Sequence, residues 1–507
     1  MSSKIYSCAI NGLDCHLVEV EAEIMNCMSA FEVVGLTDTA IQEARERVFP
    51  AIRNSGFIFP RRKKIVNLAP ADLKKQGPHF DLAIALGLLT ASRQINIEDI
   101  EDSLFVGELA LDGALRHING ALLMANFVKE QGFKKLFLPL CNAKEAALIK
   151  GVEVFGVESL RQLCEHFNAF KLISPIAAQD FAEYQEEKSY FSDISDIQGH
   201  YQAKRALMVA AAGSHNILFS GPPGSGKTLL ARTLPSLLPP LTIEESLEVT
   251  KIYSVAGMLP KDKPLKIIRP FRAVHHTASG ASIVGGGRIP RPGEISLAHR
   301  GVLFFDELPE FPVKVLELLR QPLEDRKITI GRALSTLTYP AHFMFIAAMN
   351  PCPCGYDSDP QKQCICTSQQ IKNYQKKISG PLLDRIDLIV EVPRLNFQKL
   401  TSQEKTASSQ DLLNKIQLAR NIQYLRFKNF NIFSNSEMDS ALVKKFCILE
   451  EEGGGLMKEA VNKFQLSGRA YFRILKVART IADLEESENI LSSHVAEALQ
   501  YRGDEEL

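Results

Sequence analysis

The sequence predicts an α/β chain in three parts, and three observations predict it. Apolar runs alternate with helical patterns across residues 197–398, as a helix-covered sheet requires. Helical periodicity dominates residues 399–507. Residues 1–170 mix strand and helix patterns in an α+β manner, and an acidic, aperiodic linker at 171–196 sets them apart. A chain of 507 residues has room for about three domains at roughly 150 residues each.

The elements follow in chain order. Val18, Val20, Ala22 and Ile24 alternate with Glu19, Glu21 and Glu23, the pattern of a half-buried strand. Asp38 is placed to cap a helix carrying Ile41, Ala44, Val48 and Ile52 at helical spacing. Ile65 to Leu68 reads as another short strand, and Asp81 opens an apolar helix. Thr242 and Glu245 fit a capping box, so a helix starts there. Residues 328–340 can form a hairpin that turns near Gly331 and Arg332.

Composition excludes several classes. Apolar residues at 45% and charged residues at 23% fit a globular chain, not a disordered one. Equal numbers of basic and acidic residues, 59 of each, rule out a uniformly basic coat for nucleic acid. No apolar run reaches the roughly 18–20 residues that cross a bilayer, and the first residues, MSSKIYSCAINGLDCH, hold no apolar leader core. The expectation is a cytoplasmic protein with no membrane partner. Ten cysteines in such a chain are thiols or metal ligands rather than disulfides. Six of them, at positions 8, 15, 27, 141, 164 and 447, are scattered and are expected as core thiols.

The strongest chemical signal is Gly221-Pro222-Pro223-Gly224-Ser225-Gly226-Lys227-Thr228, a full match to GxxxxGK[ST]. It follows an apolar strand, Asn216 to Phe219, and precedes a helix, the context this motif needs. Glycines let backbone N–H groups close on phosphate oxygens, and the helix N-terminus adds positive partial charge. Lys227 would reach the outer phosphates and Thr228 would hold Mg2+. A second apolar strand, Val302 to Phe305, ends in Asp306 and Glu307. Asp306 would support the metal, and Glu307 would polarise an attacking water as a general base. A third strand, Phe343 to Met349, ends in Asn350, which either orients that water or simply makes the turn before Pro351.

These residues, followed by Gly380-Pro381-Leu382-Leu383-Asp384-Arg385-Ile386-Asp387 and Leu466-Ser467-Gly468-Arg469-Ala470, resemble an AAA+ ATPase of the magnesium-chelatase-like branch. The resemblance implies ATP and Mg2+ as cofactors and a ring of subunits. It implies Arg385 as an arginine finger reaching a neighbour's nucleotide, Arg469 as a second sensor on a helical lid, and Gln198, Gly199 and His200 near the adenine. Read as residues alone, either arginine could be a surface salt bridge.

Between 261 and 300 stand eight basic residues against Asp262 and Glu294, in a chain of zero net charge. In the resembled branch this segment is an insert that projects into the ring pore. Arg272, His275, His276 and Arg288, with Arg332 on the second hairpin, are the candidate DNA contacts, gripping phosphates without reading sequence. A structural insert is the alternative. Cys352, Cys354, Cys364 and Cys366 form two CxC pairs nine residues apart. Four soft ligands within 15 residues suit a structural, tetrahedral Zn2+, the alternative being four reduced thiols.

In the first 170 residues, Gly77-Pro78-His79-Phe80-Asp81, Val106-Gly107-Glu108 and Ile118-Asn119-Gly120 resemble the Lon-type peptidase fold. That resemblance sets His79 at the position of the serine and Leu122 at that of the lysine, which implies no peptidase activity. Arg61-Arg62-Lys63-Lys64 is either a DNA patch or a solvated charge run. Taken whole, the chain is similar to the YifB/ComM family. This implies a homo-hexameric, ATP-driven branch-migration helicase that acts on single-stranded and branched double-stranded DNA in homologous recombination and natural transformation. The alternative is a chelatase-type or protein-remodelling motor subunit without DNA activity.

Overall fold

The computed structural model describes residues 2–36, 38–96, 100–178, 181, 193–260, 262–287, 291–332, 335–357, 359, 361–395, 408–430 and 432–502. The chain divides into two compact units, Met1–Glu187 with Thr242–Ile267, and Lys188–Leu241 with Ile268–Leu507. Half of the expected linker at 171–196, residues 179–180 and 182–192, lies outside the described residues.

The first unit holds a four-stranded sheet in the order Ser2–Asn11, Asp14–Met25, Lys63–Ala69, Phe31–Val34. Val18, Val20 and Ala22 are buried on one face, as their alternation predicts. Asp38 accepts from the Ile41 amide, and the helical stretch it opens continues as Ala44–Asn54. The helix Asp81–Ala91 is apolar all round because it is buried all round. Its first residue is held by Arg47, whose Nε and Nη2 donate to the two carboxylate oxygens at 2.7 and 3.0 Å. A second, parallel sheet runs Ser103–Phe105, Lys135–Pro139, Glu153–Val157.

Three expectations change here. The basic run at 61–64 is not one solvated patch. Lys64 is buried, with Nζ donating to the Pro60 carbonyl, and Lys63 pairs with Glu32. Of the six scattered cysteines, Cys27 and Cys141 are exposed rather than core. The segment Thr242–Ile267, read as part of the nucleotide domain, packs in the first unit. Its helix Ile243–Ala256 does begin with the expected capping box, Thr242 and Glu245. Leu247 lies against the cluster containing Leu122 and Met124, and Ser254 donates to the buried Glu145.

The second unit is a five-stranded parallel sheet in the order Phe271–Val274, Val302–Phe305, Met344–Met349, Ile217–Ser220, Leu388–Glu391. The inner strands are continuous buried apolar runs, the signature of a sheet covered on both faces. Helices Tyr201–Gly213 and Lys227–Leu237 share its core with the C-terminal helices Ser409–Phe427, Glu451–Phe464, Gly468–Leu484 and Ser492–Gln500. Strands Lys327–Arg332 and Ser335–Pro340 pair as the expected hairpin, with its turn outside the described residues. No described helix is long and apolar enough to cross a membrane.

Candidate active site

Three adjacent parallel strands end together. Ile217–Ser220 leads into the glycine loop, Val302–Phe305 into Asp306 and Glu307, and Met344–Met349 into Asn350. Sheet order, not sequence proximity, assembles them at the carboxyl edge, where open α/β sheets bind ligands. Gly221 admits no side chain, since a Cβ there would lie 2.2 Å from the Val392 carbonyl oxygen. Gly224 and Gly226 take positive φ, 77° and 88°, and turn the chain into the helix Lys227–Leu237. No side chain caps that helix, so its first amides face the loop as donors for an anion.

The side chains converge as the sequence predicts. Lys227 Nζ donates to the carbonyls of Gly221 (2.6 Å) and Pro222 (2.9 Å) and to Asn350 Oδ1 (3.3 Å). Burial pushes its ammonium down to about 8, against the opposing pull of Asp306 and Glu307. Thr228 Oγ1 donates to Asp306 Oδ2 at 2.8 Å, which brings the two expected Mg2+ ligands together. Glu307 sits at φ 53°, a strained position for a side chain, with its amide on Asp306 Oδ1.

Among the described residues, Gln198 Oε1, His200 Nδ1 and Ser225 Oγ are buried without a hydrogen-bond partner. Ser225 belongs to the phosphate loop, and His200 Nε2 comes within 3.8 Å of where a Cβ on Gly226 would stand, so His200 borders it. A polar guest would satisfy these unpartnered atoms, and a nucleotide fits that requirement. Gly199, between Gln198 and His200, also has positive φ (60°).

Arg385 lies just after the short helix Gly380–Leu383, and Arg469 in the first turn of the helix Gly468–Leu484. The Arg385 guanidinium pairs with Glu324 and donates to the Pro381 carbonyl, and Asn216 Nδ2 holds its backbone carbonyl at 2.8 Å. The hydrogen bond from Arg385, with the charge of Arg469 adding to it, holds the Glu324 carboxyl below its ordinary value. Arg385 is thus held by a glutamate that no motif marks.

Family models match in three consecutive stretches. "Subunit ChlI of Mg-chelatase" matches residues 20–142, "Magnesium chelatase, subunit ChlI" matches 193–400, and its C-terminal counterpart matches 406–502. Competence protein ComM of Haemophilus influenzae is 41% identical over 502 residues, 98% of this chain and 97% of its own length. The YifB protein of Salmonella typhimurium is 40% identical over 505 residues, 99% and 97% of the two chains. The chain belongs to the YifB/ComM family. A shorter similarity, 30% over 171 residues, links it to Lon protease 2 of Bacillus subtilis, covering 31% of this chain and 29% of that one.

Within this YifB/ComM chain the candidate DNA contacts separate. Arg272 Nε and Nη2 donate to both oxygens of Glu294 at 2.6 and 2.7 Å, so its fork is engaged inside the domain. His276 Nδ1 stands 3.4 Å from Glu307 Oε2. Both side chains thus have an acidic partner within the unit. His275 is exposed, with Nδ1 against Thr277 Oγ1 at 2.9 Å. Arg332 ends its hairpin strand, and Arg288 lies outside the described residues. The basic residues of 261–300 divide between the two units. Residues up to Ile267 belong to the first unit, and Arg269 is tied to the carbonyls of Pro239 and Arg300.

The four cysteines do come together. Their Sγ atoms all lie within 4.8 Å of one another, with Cys352–Cys354, Cys354–Cys364 and Cys352–Cys364 at 3.3, 3.6 and 3.7 Å. Thiolates about 2.3 Å from a tetrahedral Zn2+ stand about 3.8 Å apart, so the donor set fits that ion. Sequence reasoning did not reach Glu324, Asp359, Arg394 or Glu145. Each acts through a partner distant in sequence, and no local spacing announces it.

Proposed function

We propose that the chain is an ATP hydrolase that works as a hexameric motor on DNA, a branch-migration helicase for recombination intermediates during natural transformation. One observation carries the ATPase reading: Lys227, Thr228, Asp306 and Asn350 meet at a single glycine cradle, with Glu307 next to Asp306. Lys227 would leave its two carbonyl partners for phosphate oxygens. Thr228 and Asp306 would hold Mg2+, which neutralises developing charge on the transferring phosphoryl group. Glu307 and Asn350 would orient the attacking water. Arg385 from a neighbouring subunit would leave Glu324 to complete the site, and Arg469 on the helical lid would act as the second sensor. Gln198 and His200 would receive the base with their unpartnered atoms. The cysteine cluster would hold a structural Zn2+.

The DNA half of the proposal rests on the relative named a competence protein and on the exposed His275. A chelatase-type or protein-remodelling motor is the reading it competes with. ATP hydrolysis should rise severalfold with single-stranded or branched DNA and fall by about a hundredfold or more in Glu307→Gln, which should still bind ATP. Hydrolysis indifferent to every DNA would move the proposal to the chelatase-type or protein-remodelling alternative. Wild-type turnover in Glu307→Gln would remove the assignment of Glu307.

A further inference from the structure

The four-cysteine loop leans on the phosphate loop. Cys352 follows Asn350 by two residues, and Asn350 is the side chain that receives Lys227. Just after Cys354, Gly355 adopts φ 85°, its amide donating back to the Cys352 carbonyl at 3.0 Å. A Cβ on Gly355 would lie 2.6 Å from Cδ of Pro223 and 2.7 Å from its Cγ. The glycine is what lets the backbone of the cysteine loop rest directly on the proline ring.

A second grip comes from the other side of the same residue. Arg394 Nη2 donates to the Pro223 carbonyl at 3.2 Å and stands 3.4 Å from Asp359 Oδ2. Asp359 lies between the two cysteine pairs, its side chain fully buried, and its Oδ1 accepts the Gln361 amide at 2.8 Å. Pro223 is thus touched by Gly355 and, through Arg394, by Asp359.

Residues 351–366 have no helix or strand among those described. Such a loop lacks a backbone ladder to order it, and a four-thiolate metal site supplies that order when occupied. We propose that the metal bound by Cys352, Cys354, Cys364 and Cys366 is a prop for nucleotide binding: it fixes the loop that holds Pro223, and so keeps the phosphate cradle in its binding-competent shape. This inference rests on the zinc reading above. Losing the prop lets the cradle relax. If the competent fraction falls to about a tenth, the apparent dissociation constant for nucleotide rises about tenfold.

The test uses the full chain and two independent readouts, bound zinc by elemental analysis and affinity for a fluorescent ATP analogue. Zinc-loaded protein should bind the analogue about tenfold more tightly than chelated protein, and added Zn2+ should restore the affinity. Cys364→Ser should lose zinc and affinity together. Gly355→Ala and Arg394→Gln should retain zinc and still weaken nucleotide binding severalfold, and their zinc content certifies that the loop is folded. Protein that holds zinc but binds the analogue equally with and without it overturns the prop while leaving the metal site standing. Protein that neither purifies with zinc nor takes it up overturns the metal reading itself.

Discussion

Each unit has a helix that begins after a left-handed glycine with no side-chain cap: Gly120 (φ 83°) before Ala121–Glu130, and Gly226 (φ 88°) before Lys227–Leu237. Both helix ends are sites for negative charge. In the first unit that charge is internal. The buried Glu145 accepts from the Leu122 amide at 2.9 Å, and burial raises its carboxyl above the ordinary value. Ser254, from the segment that returns to this unit, donates to the same carboxylate. Among the described residues of the second unit, no carboxylate accepts from the first amides of Lys227–Leu237. Lys227 waits on carbonyls, and Ser225 Oγ is unpartnered. One helix end is thus closed by the chain's own anion, and the other is kept for an anion that arrives. The closed one carries Leu122, which the Lon-type resemblance sets where a peptidase keeps its lysine.

The contrast predicts where each substitution does its damage. Lys227→Ala should cut ATP turnover by about a thousandfold while leaving the melting temperature unchanged or higher, because a half-desolvated ammonium is removed. Steady-state hydrolysis and thermal denaturation on one preparation check this.

The next effect concerns His79, set at the position of the Lon serine. Its Nε2 lies 3.0 Å from the Cys8 carbonyl, and burial lowers the imidazole from 6.5 to about 4. Below pH 6.5 the unfolded chain takes up a proton that the folded one refuses until about pH 4. The contribution is therefore complete at neutral pH and is lost as pH falls from about 6.5 to about 4, about 3 kcal/mol in all. Asp81, raised by burial to about 6, works in the opposite direction, its contribution growing as pH falls. The difference between wild type and His79→Gln in urea unfolding isolates the histidine: the wild type should lose its advantage across that window, and parallel curves would break the assignment.

Glu145→Ala should cost the first unit about 2 kcal/mol, since it orphans the Leu122 amide and the Ser254 hydroxyl, and Glu145→Gln should cost less. Neither should change ATP affinity if the internal anion only serves folding. The smallest effect is at the start of the returning helix, where Thr242→Ala removes the cap and should cost about 1 kcal/mol in the same unfolding experiment.

What the sequence disclosed and what it withheld divide along the same physical line. The glycine loop, the strand ending in Asp306 and Glu307, the Thr242 capping box and the hairpin are local patterns, readable within about ten residues. The meeting of Thr228 with Asp306 was legible because a parallel sheet brings strand ends to one edge. By contrast, the ion pair of Arg272 with Glu294 spans 22 residues, that of Arg385 with Glu324 spans 61, and Ser254 reaches Glu145 across 109. No periodicity encodes such pairings. A basic count over 261–300 therefore marks candidate DNA contacts but cannot show that Arg269 and Arg272 are bonded within the fold. The cysteines were an intermediate case. Their spacing predicted a cluster, but not that Gly355 would set the cluster against Pro223.

The return of Thr242–Ile267 to the first unit makes the chain pass between the units three times, near residues 187, 241 and 267. A gene trimmed to begin at residue 188 would still encode the helix Ile243–Ala256, but without the surface that covers Leu247 and Val255. The product would expose a sticky apolar stripe. The two units are thus heritable only as a pair, and a lineage that no longer needed the first would have to lose the returning segment in the same step.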